Sequence, residues 1–477
     1  MGRGAAHFQL KHPTYAPGQT RITSFNPATG ETLATFAPHD DAYIATALNR
    51  ADRAQQQWAQ LPLAERLPHL LSIAQTLRRN KEALGRIITL EMGKPLAEAI
   101  GEVEKCAWNF EFYASSAPQF LSDLMVPTAA ADSRIVYDPL GLVLAVMPWN
   151  YPFWQVMRAA APVLASGNGL VLKHASNVPQ CALALEGVFK EAGLPEGLFS
   201  TLLVGADKVP ALIEDARISA VTFTGSTPAG RQIAATAARA LKKQVLELGG
   251  SDPFIVLADA DIAQAATLAV KARFQNTGQS CIAAKRFIVE ASVADQFVEA
   301  FCATARQLVV GDPFAASSTQ GSMARLNLRQ ELDAQVQASV QEGAKLLMGG
   351  HALPGAGAFY EPTVFDHVLP HMTVAREETF GPAAAILRVA NAQEAVRVAN
   401  DSPFGLGAAL WTRDLDQAHR LSRQIQSGAV FINAMVASDP RIPFGGIKAS
   451  GYGRELGMLG MHEFVNIKTV WRGPNKT

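Results

Sequence analysis

Cysteine is scarce in this chain, four in 477 residues, and no two form a C-x-x-C pair. That argues against a disulfide framework and against a structural zinc site. The ten histidines fall in no H-E-x-x-H or similar ligand pattern, so no catalytic metal is expected. Neither sign of charge is in excess: Lys+Arg and Asp+Glu are 42 each. A chain of zero formal charge has no global basic field to draw nucleic acid or an anionic membrane. Long apolar runs are missing too; "GLVLAVM" at 141–147 is far short of the roughly 20 residues that span a bilayer. The opening "MGRGAAHFQLKHPTYAPGQT" has no apolar signal-peptide core and reads as a loose arm. The expected setting is a reducing cytoplasm.

Forty-eight per cent hydrophobic and 18% charged residues describe an ordinary globular protein, and 477 residues favour two or three domains. Residues 40–114 carry helical periodicity broken at prolines and glycines, which predicts a run of helices. From 134 the pattern changes to strand and helix in alternation: "GLVLAVM", a helix at 153–165, "GLVLKH", a helix at 179–192, "STLLV", a helix at 207–214, "AVTFTG". Such a βαβ series builds a doubly wound dinucleotide fold. A second α/β series starts near "DPFIVLADADI" (252–262), with strands at "RFIVE", "KLLMGG", "AAAILRV", "GAALWT" and "AVFIN". Two lone strand-like segments, "SRIVYD" (133–138) and "HEFVNIKTVW" (462–471), belong to neither series and suggest a small extra sheet.

Three cysteines look like small core groups. Cys106 falls on the apolar stripe Leu96, Ile100, Val103, Phe110; Cys181 stands four before Leu185; Cys302 stands beside Phe301. Cys281 differs. In "QNTGQSCIAAKRF" (275–287) it sits in a polar loop three residues after a glycine taken to be flexible. A nucleophilic cysteine needs a thiolate, an oxyanion donor and a base for the water that releases the acyl group. Glu247, between Leu246 and Leu248 at an apolar strand end, is a candidate base whose pKa burial would raise. Asn150 lies just past the strand 141–147, where α/β sheets place their ligands, and is a candidate oxyanion donor. Alone, each residue also has a plain reading: an edge salt bridge for Glu247, a chain turn for Asn150.

The motifs "PWNYP" (148–152), "LVLKHAS" (170–176), "FTGS" (223–226), "LELGG" (246–250), "NTGQSC" (276–281), "REETFGP" (376–382) and "PFGGIKASGYGRE" (443–455) occur in this order. Together they resemble the aldehyde dehydrogenase superfamily over essentially the whole chain, with the bacterial succinate-semialdehyde dehydrogenases the nearest likeness. The resemblance implies an α/β fold: a Rossmann-type cofactor domain at 1–121 and 140–248, an α/β catalytic domain at 249–449, and a small oligomerisation β-arm at 122–139 and 450–477. It implies NAD or NADP as cofactor and a homodimer or homotetramer. Cys281 would attack the aldehyde, Asn150 and the Cys281 N–H would hold the oxyanion, and Glu247 would activate water. Lys173 would reach the adenosine ribose, Glu378 the nicotinamide ribose, and Phe380 the nicotinamide end. Gly225 and Ser226 would open a helix toward the pyrophosphate, and Trp149 would line the adenine side.

For the substrate, an arginine as deep in apolar sequence as Arg158 must find an anion or reach solvent. In succinate-semialdehyde dehydrogenases its equivalent grips the distal carboxylate, and Ser438 matches a second contact; a structural salt bridge is the other reading of Arg158. Gln275 stands where some members have a further arginine, and Ala283 where some have a second cysteine. The expected partner is therefore a small aldehyde carrying a carboxylate, with broader specificity or acyl transfer to coenzyme A as alternatives. Ser176 replaces the glutamate that often repels a 2′-phosphate, permitting NADP without excluding NAD.

Overall fold

The computed structural model describes residues 21–473; the arm expected at 1–20 and the residues 474–477 lie outside the described part. The helical run resolves into Asp41–Gln60, Leu63–Arg79, Lys81–Met92 and Leu96–Phe120. Local chemistry sets these breaks. The Asp40 carboxylate accepts from Tyr43 N–H as an N-cap, Pro62 and Pro95 stand at N-caps, and Gly93 ends the third helix at φ 89°. The last helix buries Ala99, Val103, Cys106, Phe110 and Tyr113 along one stripe. Cys106, Cys181 and Cys302 are all buried core groups, as their neighbours predicted.

A six-stranded sheet runs in the order Gly451–Tyr452, Lys243–Glu247, Ile218–Thr224, Leu142–Met147, Gly169–His174, Phe199–Thr201, parallel except for its first strand. Leu142–Met147 is buried throughout, and apolar clusters cover both faces of the sheet. The chain leaves this strand toward one edge through Gly169–His174 and returns toward the other through Ile218–Thr224, so Asn150 follows a topological switch point.

A seven-stranded sheet has the order Lys345–Met348, Thr363–Asp366, Ala383–Val389, Ala284–Glu290, Asp252–Val256, Gly407–Trp411, Ala429–Ile432, with only its first strand antiparallel. Thr363–Asp366 and the hairpin Ile22–Phe25/Thr32–Phe36 were not anticipated. Each has four or five residues, too few to carry a readable period.

The lone segments do pair. Val465–Arg472 runs antiparallel to Asp132–Pro139, and Leu124–Met125 adds a third strand. One expectation needs correction: Gly451–Tyr452, assigned to the arm, extends the six-stranded sheet against Leu246 and Glu247. Val465 is buried, because Phe464 anchors the strand's start where its carbonyl accepts from Asn168 Nδ2 at 2.7 Å. Ile467, Val470 and Trp471 beyond it are exposed. Among the described residues no helix is long and apolar enough to cross a membrane.

Candidate active site

The helix Ile262–Phe274 ends at Gln275, and the next three residues all take positive φ: Asn276 at 56°, Thr277 at 55°, Gly278 at 71°. Asparagine tolerates this region and threonine hardly does, so the turn stores backbone strain of order 1–3 kcal/mol at such a position. Its surroundings hold it. The Arg273 guanidinium donates to the carbonyls of Gly278 (2.6 Å), Gly381 (2.7 Å) and Ala284 (3.1 Å). Glu98 accepts from Asn276 N–H at 2.9 Å, and Asn276 Nδ2 donates to the carbonyls of Asn150 and Gln279, both at 3.0 Å. On the far side, the Lys285 ammonium donates to the carbonyls of Ser280, Cys281 and Ala283 at 3.0–3.2 Å. The expected polar loop with a flexible glycine is thus corrected: Asn276, Thr277, Gln279 and Ser280 are buried, and Gly278 is locked. A Cβ there would stand 2.4 Å from the Gly381 carbonyl oxygen.

Cys281 emerges from this turn half-buried, on the wall of a cavity of about 540 Å³. Burial pushes its thiol up to about 12; Arg158 and Lys285 pull the other way, Glu247 and Asp252 with burial. The thiol is therefore protonated at neutral pH and must lose its proton as it attacks. Asn150 Nδ2 donates to the Gln279 carbonyl at 3.1 Å, which pins the amide beside the cysteine turn with its second N–H to spare. The Cys281 N–H itself makes no hydrogen bond among the described residues. Each of the two groups expected to hold an oxyanion thus keeps a free N–H on or beside the cysteine turn.

Glu247 ends its strand 1% exposed, and neither carboxylate oxygen has a hydrogen-bond partner. Burial first, then the charge of Glu455, holds it well above the usual carboxylate range, with Arg158 and Arg454 opposing. Glu455 was missed in the sequence. It stands nearly 300 residues from Arg158, yet the two form an ion pair with both side chains 2% exposed. The signal was there in principle, since a buried arginine requires an anion. Arg158 lines the cavity, lies 4.8 Å from the Phe444 ring centroid and pairs with Glu455. Gln275 and Ser438 line the same cavity. So does Lys105, also missed, whose ammonium donates to Ser438 Oγ at 2.7 Å.

The residues expected to hold the cofactor lie around the sheet's carboxyl ends. Ser226 caps Thr227–Arg239 without a side-chain hydrogen bond, so no side chain satisfies the first amides of that helix, and an anion would suit them. The Gly225 N–H is already used by the Glu247 carbonyl at 3.0 Å. Lys173, at the end of Gly169–His174, is buried, with no hydrogen bond or ion pair among the described residues. Ser176 and Asn177 line a second cavity of about 630 Å³ with Asp207, Lys208 and Arg325. Asn177 Nδ2 is buried there without a partner. A nucleotide of adenosine and pyrophosphate fits such a set. Glu378 accepts from Gly250 N–H at 2.9 Å and lies 3.8 Å from Lys285. The Trp149 ring stands edge-on to Phe380, centroids 5.7 Å apart. Among the described residues no group of three or more His, Cys, Asp or Glu is placed to hold a metal.

The chain is similar to known proteins along nearly its whole length. The Synechocystis "Probable succinate-semialdehyde dehydrogenase", named for NADP+, is 51% identical over 450 residues, 94% of this chain and 99% of that one. The Escherichia coli succinate semialdehyde dehydrogenase named for NAD(P)+ is 48% identical, covering 95% and 98%. The crystal structure of succinic semialdehyde dehydrogenase from Streptococcus pyogenes in complex with NADP+ has a TM-score of 0.93 at 37% identity, covering 95% of this chain and 100% of that one. Residues 15–470 match the model of the aldehyde dehydrogenase family, and the chain belongs to that family.

Proposed function

We propose that the protein oxidises succinate semialdehyde to succinate with NADP+ or NAD+. The observation that supports this reading is that Cys281 lines a cavity of about 540 Å³, with Asn150 Nδ2 bonded to the Gln279 carbonyl on the cysteine turn and Glu247 near enough for its charge to act on the thiol. Cys281 Sγ bonds to the carbonyl carbon and gives up its proton, while Asn150 Nδ2 and the Cys281 N–H stabilise the oxyanion. A nicotinamide held in the cleft would supply the acceptor for the hydride that leaves the former aldehyde carbon, so that the substrate remains as a thioester on Cys281. Glu247 takes a proton from water, the hydroxyl adds to the thioester carbon, and the C–S bond breaks to release the carboxylate. Aldehyde, water and NAD(P)+ become carboxylate, NAD(P)H and two protons.

Glu247 supports hydrolysis over transfer to coenzyme A, since a base for water is superfluous to acyl transfer. Ser176 in the adenosine-side cavity supports acceptance of a 2′-phosphate. The exposed apolar residues of the three-stranded sheet support a homodimer or homotetramer. The division into cofactor domain, catalytic domain and arm follows the sheets, with Gly451–Tyr452 moved to the first. A cytoplasmic setting accords with four free thiols. The test is NAD(P)H formation from a panel of aldehydes, with each cofactor and with coenzyme A withheld. Succinate semialdehyde giving the highest kcat/KM without coenzyme A is expected; turnover that requires coenzyme A would overturn the hydrolytic assignment.

A further inference from the structure

We propose that Lys285 is a positioning residue for the oxyanion. By holding the Ser280 carbonyl, its ammonium fixes the peptide unit whose N–H, that of Cys281, meets the oxygen of the reacting aldehyde. The role rests on the thiohemiacetal chemistry proposed above.

Lys285 is the second residue of the strand Ala284–Glu290, and the pairing slips there: Ala284 faces Asp252, while Arg286 faces Pro253. An extra residue of this kind bends a strand and re-aims its side chain. Arg286 reaches the carbonyls of Ser251, Val398 and Ala399, whereas Lys285 turns back to those of Ser280, Cys281 and Ala283. All three acceptors of Lys285 are carbonyl oxygens, and only the protonated amine has three N–H groups to give them. Its side chain is fully buried. Burial lowers its pKa; Glu378, 3.8 Å away, opposes most, Asp252 and Cys281 oppose less, and Arg273 acts with burial.

No peptide bond is cis among the described residues. A trans unit is planar, with its C=O and N–H on opposite sides. Holding the Ser280 oxygen 3.0 Å from the Lys285 ammonium therefore directs the Cys281 N–H away from that ammonium. This N–H has no acceptor among the described residues, and Ser280 and Cys281 both line the cavity of about 540 Å³. The Ser280 carbonyl also accepts from Ala283 N–H at 3.2 Å, a longer bond from an uncharged donor. The charge of Lys285 has a second effect: an ammonium on the carbonyl oxygen polarises the unit and strengthens its N–H as a donor. Arg273, the other cation of the turn, reaches the carbonyls of Gly278, Ala284 and Gly381 and does not touch this unit.

The experiment sets two reactions of one thiol side by side in the wild type, Lys285→Met and Lys285→Gln. Oxidation of succinate semialdehyde, read as kcat/KM at saturating NADP+, passes through an oxyanion. Alkylation by iodoacetamide, followed by mass spectrometry of the Cys281 peptide, displaces iodide and makes none. Loss of the Lys285 charge disfavours the thiolate and slows both reactions alike, so the ratio of the two rates isolates the oxyanion. In Lys285→Met that ratio should fall about 10–100-fold, the scale of a displaced oxyanion donor. Lys285→Gln keeps two N–H donors on a shorter side chain, and a fall of at least about 3-fold is expected there. It carries the test by itself if Lys285→Met does not fold by circular dichroism. A ratio that holds or rises in a folded variant overturns the proposal, because the lysine then acts on the thiol or on the fold alone. A wild type that forms no NADPH from the aldehyde overturns the reading of the site instead.

Discussion

Glu247 illustrates how one residue's chemistry depends on what surrounds it. Its carboxylate is buried without a hydrogen bond and next to a second carboxylate, so it keeps its proton far above the usual range. The base form accumulates only as pH rises, so steady-state turnover should climb with pH through the raised pKa. Glu455→Gln removes the neighbouring negative charge and frees Arg158 to favour ionised Glu247, which lowers that pKa; the ascending limb of the pH–rate profile should move toward acid. A limb that stays in place would show that another group titrates. Glu247→Gln should release one equivalent of NAD(P)H in a burst and then stall, read by stopped-flow absorbance; an undiminished steady-state rate would assign the base elsewhere. Ser176 lines the second cavity, proposed to hold the adenosine side of the cofactor. Ser176→Glu should raise KM for NADP+ at least about 10-fold, since a like charge beside a 2′-phosphate costs more than 1.4 kcal/mol, with a far smaller change for NAD+. Equal effects on both cofactors would place the residue away from the phosphate.

The turn 276–281 is an element whose type was misjudged from composition. Polar residues and a glycine suggested a mobile loop, yet they are buried and held by Arg273, Glu98 and Lys285. Side-chain polarity was legible; the cations that satisfy its carbonyls come from Arg273 and Lys285 through folding, so they were not. Gly278→Ala tests how tightly the turn is held. The new Cβ would meet the Gly381 oxygen at 2.4 Å and Arg273 Nη2 at 2.6 Å, at a φ of 71° that alanine disfavours. A loss of about 2 kcal/mol or more in denaturant unfolding is expected, with activity falling further than stability as Cys281 shifts. A variant of native stability and activity would mean that the turn yields freely.

Across the whole molecule, the three-stranded sheet leaves Leu124, Met125, Ile467, Val470 and Trp471 exposed on a protein whose other sheets are covered. Such an apolar edge invites a second copy. Ile467→Lys with Trp471→Lys should yield monomers by sedimentation equilibrium at micromolar concentration while leaving the core intact, because both side chains lie outside it. This pair is a cleaner test than removing 461–477, which would also strip the buried Val465 and take Met461 and Phe464 out of the apolar core against the six-stranded sheet. A wild type that sediments as a monomer would end the assembly proposal.

The parallel strands, the helices between them and the trio Cys281, Glu247 and Asn150 were determined by the sequence, because apolar period, turn residues and reactive side chains are local properties. Which charges meet was decided only by tertiary structure. Arg158 and Glu455, Lys105 and Ser438, and Gly451 and Glu247 are each separated by hundreds of residues and brought together by sheet order and helix packing. A buried charge takes its role from its partner, and no local pattern encodes a partner that distant.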